Sequence, residues 1–109
     1  MIIHNGLNPP SLVESWDESD RDYIWFSWEN KLNGATITLS EWTTPASWTV
    51  VAEQVDASVV GSDVITYNNC NGALLETTDL TGTFVISNKV TLSDNRRFER
   101  SVKVKVKQL

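Results

Sequence analysis

The chain has one cysteine, one histidine and no long apolar run, and each shortage closes off a class of function. Cys70 alone cannot close an intramolecular disulfide, so the fold has to be held by side-chain packing. Its place in a turn-like stretch, with no neighbouring cation in sequence to stabilise a thiolate, makes it an incidental thiol. Nucleophilic catalysis by serine or cysteine needs a base, and the only histidine, His4, lies in an N-terminal segment without sustained periodicity. His4 therefore reads as a surface or interface residue. One histidine and one cysteine are also too few for the N/S ligand sets of zinc. No segment approaches the roughly 18–20 apolar residues of a membrane-spanning helix, and the N-terminus lacks a basic region leading into an apolar run. The expectation is a chain that neither spans a membrane nor carries a secretion signal.

What is present is aromatic and β-branched. Five tryptophans in 109 residues is a high number, and large amphipathic rings collect in cores and at protein contacts. With 40% hydrophobic and 21% charged residues the chain has the composition of a folded domain, and its length suits one core better than two.

Residues 1–15 hold Asn5, Gly6, Asn8, Pro9 and Pro10 without periodicity, and are read as an extended arm; Trp16 to Asp22 (WDESDRD) follows as an acidic, turn-prone connector. Tyr23 to Trp28 (YIWFSW) is a buried strand, ended after a short loop by the Asn33-Gly34 turn. Ala35 to Trp42 alternates, which places Ala35, Ile37 and Leu39 on one face and Thr36, Thr38 and Ser40 on the other. Pro45 breaks it, and Ser47 to Ala52 resumes, with Trp48 and Val50 sharing a face. Val59-Val60 and Val64 to Tyr67 read as short strands or one bulged strand. Asn68 to Gly72 (NNCNG) is read as a turn, and Ala73 to Leu80 as a strand or a surface excursion. Phe84, Ile86, Val90 and Leu92 form the inner face of a strand that turns at residues 93–96. The return strand carries Phe98, Val102, Val104 and Val106 inward and Lys103, Lys105 and Lys107 outward. No segment has helical periodicity. Six or seven short strands with turns near every ten residues predict an antiparallel two-layer sandwich comprising residues 23–109, preceded by the extended arm and connector of residues 1–22.

Charge is unevenly spread. Twelve acids precede Lys89 against Arg21 and Lys31 alone, whereas seven basic residues from Lys89 onward face Asp94 and Glu99. Either acidic and basic strands are neighbours within the fold, or the acidic part of one copy meets the basic strand of another. The basic hairpin of Arg96, Arg97, Arg100, Lys103, Lys105 and Lys107 could track phosphates, but the net charge of −5 opposes nucleic-acid binding. Lysines alternating with valines describe the solvent face of an edge strand. Glu14, Asp17, Glu18, Asp20 and Asp22 lack the glycine and terminal bidentate glutamate of an EF-hand loop, so they read as a solvated connector. No pair of carboxylates stands out for acid–base work. The expectation is a protein that is not an enzyme and uses no metal or cofactor.

The run Tyr23-Ile24-Trp25-Phe26-Ser27-Trp28, then Leu32 with Asn33-Gly34-Ala35-Thr36-Ile37, then Ser40-Glu41-Trp42-Thr43 closed by Pro45, resembles a family of small tailed-bacteriophage proteins. Gly82-Thr83-Phe84, the Asp94-Asn95-Arg96 hairpin and Arg100-Ser101 resemble its C-terminal half. The chain departs from the family at Asn71-Gly72, where a Gly-Gly is usual, and at Asn95, which replaces a hairpin glycine with a residue that tolerates the left-handed conformation. The resemblance implies an immunoglobulin-like β-sandwich and a virion structural role: an adaptor joining tail or neck to fibers or spikes, incorporated into particles assembled in the host cytoplasm. It further implies that the partners are other virion proteins and copies of the chain itself. Alternatives are a capsid decoration or head-fiber base protein, and a glycan-binding module that would use exposed tryptophans. Candidate contact residues are Ile2, Ile3, Leu7, Leu12, Val13 and Trp16 in the arm, which gain burial only by docking, together with Arg96 and Arg97 in the hairpin. Whether the arm docks on a partner or on its own sandwich is open at this level.

Overall fold

The computed structural model describes residues 2–4, 12–17, 21–60, 66–78 and 81–107. The strands are β1 (Ile2–His4), β2 (Leu12–Asp17), β3 (Arg21–Ser27), β4 (Ile37–Thr43), β5 (Trp48–Val60), β6 (Thr66–Thr77), β7 (Gly82–Leu92) and β8 (Arg97–Lys107), with a single helical turn, α1 (Glu29–Leu32), between β3 and β4. They form two four-stranded sheets, β1-β3-β6-β5 and β2-β8-β7-β4. Two such sheets, with the third, sixth and fifth strands opposite the fourth, seventh and eighth, make an immunoglobulin-like antiparallel sandwich. The N-terminal segment supplies an edge to each sheet: β1 runs parallel to β3 and β2 parallel to β8.

The alternation read from the C-terminal third holds. Ile86, Val90 and Leu92 of β7 and Val102, Val104 and Val106 of β8 are buried, while Lys103, Lys105 and Lys107 are exposed. They meet Ile24 and Phe26 of β3, Ala73 and Leu75 of β6, Trp48 of β5 and Trp16 of β2 in one core. Rings pack through it in tilted pairs: Trp16 with Trp48 at 5.4 Å, Trp48 with Phe84 at 5.7 Å, and Phe26 with Trp42 at 5.6 Å between centroids. Trp25 and Trp28 are both buried, but on opposite sides of the sheet. Trp28 joins the core cluster, whereas Trp25 lies under Tyr23 on the outer side.

Several readings change. Asn68 to Gly72 is not a turn; it lies inside β6, where Cys70, Asn71 and Gly72 are buried. Its turn chemistry is spent within the strand: Asn69 takes φ 55° at a register irregularity, and Gly72 lies so near the Trp25 ring that a Cβ would come within 2.4 Å of it. In β4 the register slips at Thr38, since Ile37 and Leu39 face the adjacent Leu92 and Thr91. This bulge turns Leu39 outward, 50% exposed, and brings Ser40 and Trp42 to the inner side. In β5 Trp48 and Val50 do share a face, opposite the buried Thr77 and Leu75, but Val50 is 36% exposed at the sheet's edge. Finally β8 is not an edge, because β2 pairs along it.

The sheets are tied by a buried polar group. Asn88, fully buried on β7, accepts hydrogen bonds at Oδ1 from Trp28 Nε1 (2.9 Å) and Asn71 Nδ2 (3.1 Å). Its Nδ2 donates to Ser40 Oγ and to the Glu41 carbonyl, each at 3.0 Å. Both lone pairs and both hydrogens of the carboxamide are thus used. Asn71 extends the network by accepting from the Asp56 amide at 3.1 Å, which braces the bulge of β5.

Asn88→Ala strips two donors and a carbonyl of their partners, and unpaired buried polar groups cost about 1–3 kcal/mol each. Thermal unfolding should fall by roughly 10–20 °C. Ser101→Ala, which removes a part-buried hydroxyl pair with Ser87, should move the midpoint far less; equal effects from the two variants would contradict the network's role. Burial raises the Cys70 thiol from 9.0 to about 11, against a lowering by its Ser27 hydrogen bond, and Glu29 and Asp56 raise it further. The folded state therefore holds the proton more tightly, and Cys70 contributes stability that is whole below pH 9 and is lost as pH rises through about 11. Urea midpoints of Cys70→Ala should decline less over that window than those of the parent chain.

Candidate interaction surface

The open edges of the two sheets, β5 and β4, lie on the side of the sandwich away from β1 and β2. β5 is the more exposed. Every residue from Thr49 to Asp56 is exposed, including Val50, Val51 and Val55 at 36%, 43% and 51%, and Val60 at 56%. A strand exposed along most of its length offers apolar side chains and an unpaired main-chain edge together. It is not flat, however. Register shifts between Val50 and Ala52, between Gln54 and Ala57 and between Ala57 and Val59, with Asp56 at φ 55°, break its regularity three times, which discourages pairing with another strand. Glu53 and Asp56 are its charged residues, and no lysine or arginine occurs between Lys31 and Lys89.

The opposite charge collects on the outer side of the other sheet. Lys103, Lys105 and Lys107 project from β8 into solvent, beside Val85 of β7, which is 47% exposed and pairs in register with Lys103. β2 borders the row with Leu12 opposite Lys103 and Asp17 opposite Lys107. Acidic and basic strands are thus neighbours within the fold along this border, while the larger acidic stretch on β5 stays apart from the lysines.

The residues proposed as contacts on sequence grounds are dispersed. Ile2 and Ile3 belong to β1 along Ile24 and Trp25, and Leu12 and Val13 to β2; Leu7 lies outside the described residues. Trp16 is a correction: at 2% exposure it is a core residue, because parallel pairing of β2 opposite Val106 turns its ring into the sandwich. Arg96 is committed internally. Its Nη1 and Nη2 donate to the carbonyls of Lys31 (3.1 Å) and Leu32 (2.6 Å), its Nε pairs with Asp94 at 2.6 Å, and it lies over the Phe98 ring. The guanidinium caps the end of α1, whose last carbonyls lack helical partners. Arg97 is exposed. The valines of β5 escaped the sequence reading; their signal was a β-branched run with no lysine, arginine or proline to protect an edge.

The platform that glycan binding would need is not offered by the tryptophans: Trp16, Trp25, Trp28 and Trp48 are buried and Trp42 packs half-buried on the core. Among the described residues, no three histidine, cysteine, aspartate or glutamate side chains are grouped to hold a metal ion, and no helix is long and apolar enough to cross a membrane.

No protein-family model matches the sequence, and no curated protein matches it. The fold is similar to that of the cysteine protease inhibitor EhICP2 from Entamoeba histolytica, with a TM-score of 0.59 at 9% identity over 97% of this chain and 95% of that one. A 2,6-sialyltransferase from Photobacterium sp. JT-ISH-224 aligns at a TM-score of 0.46 and 11% identity, over 99% of this chain and 18% of that one. At such identity the likeness to the inhibitor is one of fold alone, and the sheets, edges and loops of one fold can be put to different uses.

Proposed function

We propose that the chain is a bacteriophage virion structural protein, an adaptor that joins the tail or neck of a particle to its fibers or spikes through protein contacts. The observation that carries this reading is the stretch Thr49 to Asp56, exposed throughout and rich in valine, on a sandwich whose central carboxamide, Asn88, has each of its four hydrogen-bonding positions occupied. Exposed apolar surface of this kind marks a place where another protein binds. The aromatic and turn motifs from Tyr23 to Pro45 support assigning that partner to a phage particle. An adaptor needs two partners and no chemistry, and the two sheets give it separate surfaces: a valine-bearing acidic edge and a lysine-bearing face.

Capsid decoration uses the same physics at another location, so position in the particle decides. Cryo-electron microscopy of the intact virion should show density for this sandwich where tail or neck meets fibers. Density confined to the capsid lattice, or particles that lack the chain, would reject the adaptor role.

A further inference from the structure

The acidic edge and the basic face cannot satisfy each other within one copy. Glu53 and Asp56 lie on β5, the outermost strand of one sheet, and Lys103 and Lys105 on the outer side of β8, an inner strand of the other, with the core between. We infer that β5 of one copy of this chain docks on the outer face of β8 and β7 of a second copy, head to tail. This stands without the adaptor role.

Three observations choose the occupant. Charge is complementary: the segment 49–56 carries Glu53 and Asp56 and no cation, and the opposing face carries Lys103, Lys105 and Lys107. None of these three lysines forms an ion pair with another described residue. Apolar surface is also present on both sides, with Val51 and Val55 on one and Val85, among the lysines, on the other. Finally, pairing of β5 with itself about a two-fold axis is disfavoured, since it brings the carboxylates of two copies together along an edge already broken by three register irregularities. Because the two patches differ, the contact is heterologous, and repetition closes a ring or extends a filament according to the rotation between copies.

Sedimentation velocity of the full chain tests the inference. Self-association should depend on concentration and weaken as salt rises and screens exposed charges within about 10 Å at 0.1 M. The single variant Glu53→Lys and the double variant Lys103→Glu with Lys105→Glu should each associate at least about tenfold more weakly than the parent, because like charges then meet. All three residues are exposed, and an unchanged thermal midpoint checks that each variant is folded. Mixed in equal amounts, the two variants should regain association, as each then offers the other an opposite charge. A parent chain that stays monomeric at millimolar concentration overturns the inference. So do variants that associate like the parent, and a mixture that stays monomeric.

Discussion

One carboxamide holds the two sheets in register. Asn88 is buried in the middle of a valine- and isoleucine-lined strand, and it is tolerable there only because Trp28, Asn71, Ser40 and the Glu41 carbonyl occupy each of its four hydrogen-bonding positions. Its orientation is dictated by its neighbours: an indole N–H and an amide need an oxygen, and a main-chain carbonyl needs a hydrogen. Any slip of β7 against β3 or β6 leaves several of these groups unpaired in a medium where each costs more than an apolar contact returns. A chain with a single cysteine thus obtains by hydrogen bonding the directional link that a disulfide supplies by covalency, and the aromatic rings around it add area without direction.

The same tie explains why the outer strand can be left open. Asn71 reaches through its Oδ1 to the Asp56 amide, and Asn69 donates to the Asp56 carboxylate at 2.6 Å, so the bulge of β5 is held from the sheet interior. β5 does not have to bury its own valines to stay in place. Those valines, with Glu53, stay exposed, which is why the surface argument and the stability argument meet at one strand.

Much of this was legible in the residues. The alternation of β7 and β8, the aromatic strand β3 and the Asn95 hairpin follow from period and turn chemistry. The places where reading failed have a common cause: residues with two uses. Asn69 and Gly72 signal a turn to any local rule, yet serve a bulge and a close ring contact that only tertiary packing reveals. Leu39 follows the alternation until a bulge at Thr38 reverses its face. Trp16 looked free because its pairing strand lies ninety residues away in sequence, opposite Val106. Asn88 carried a readable sign, standing two residues from both Ile86 and Val90 on the inward face, but its partners come from three other parts of the chain and no local pattern announces them.

Hydrogen exchange at the Trp28 indole, followed by NMR, tests the carboxamide tie most directly. Its Nε1–H should exchange only through global unfolding, with a protection free energy equal to that from denaturant titration. Exchange through a local opening, at a free energy well below the global value, would mean that Asn88 does not hold the sheets together.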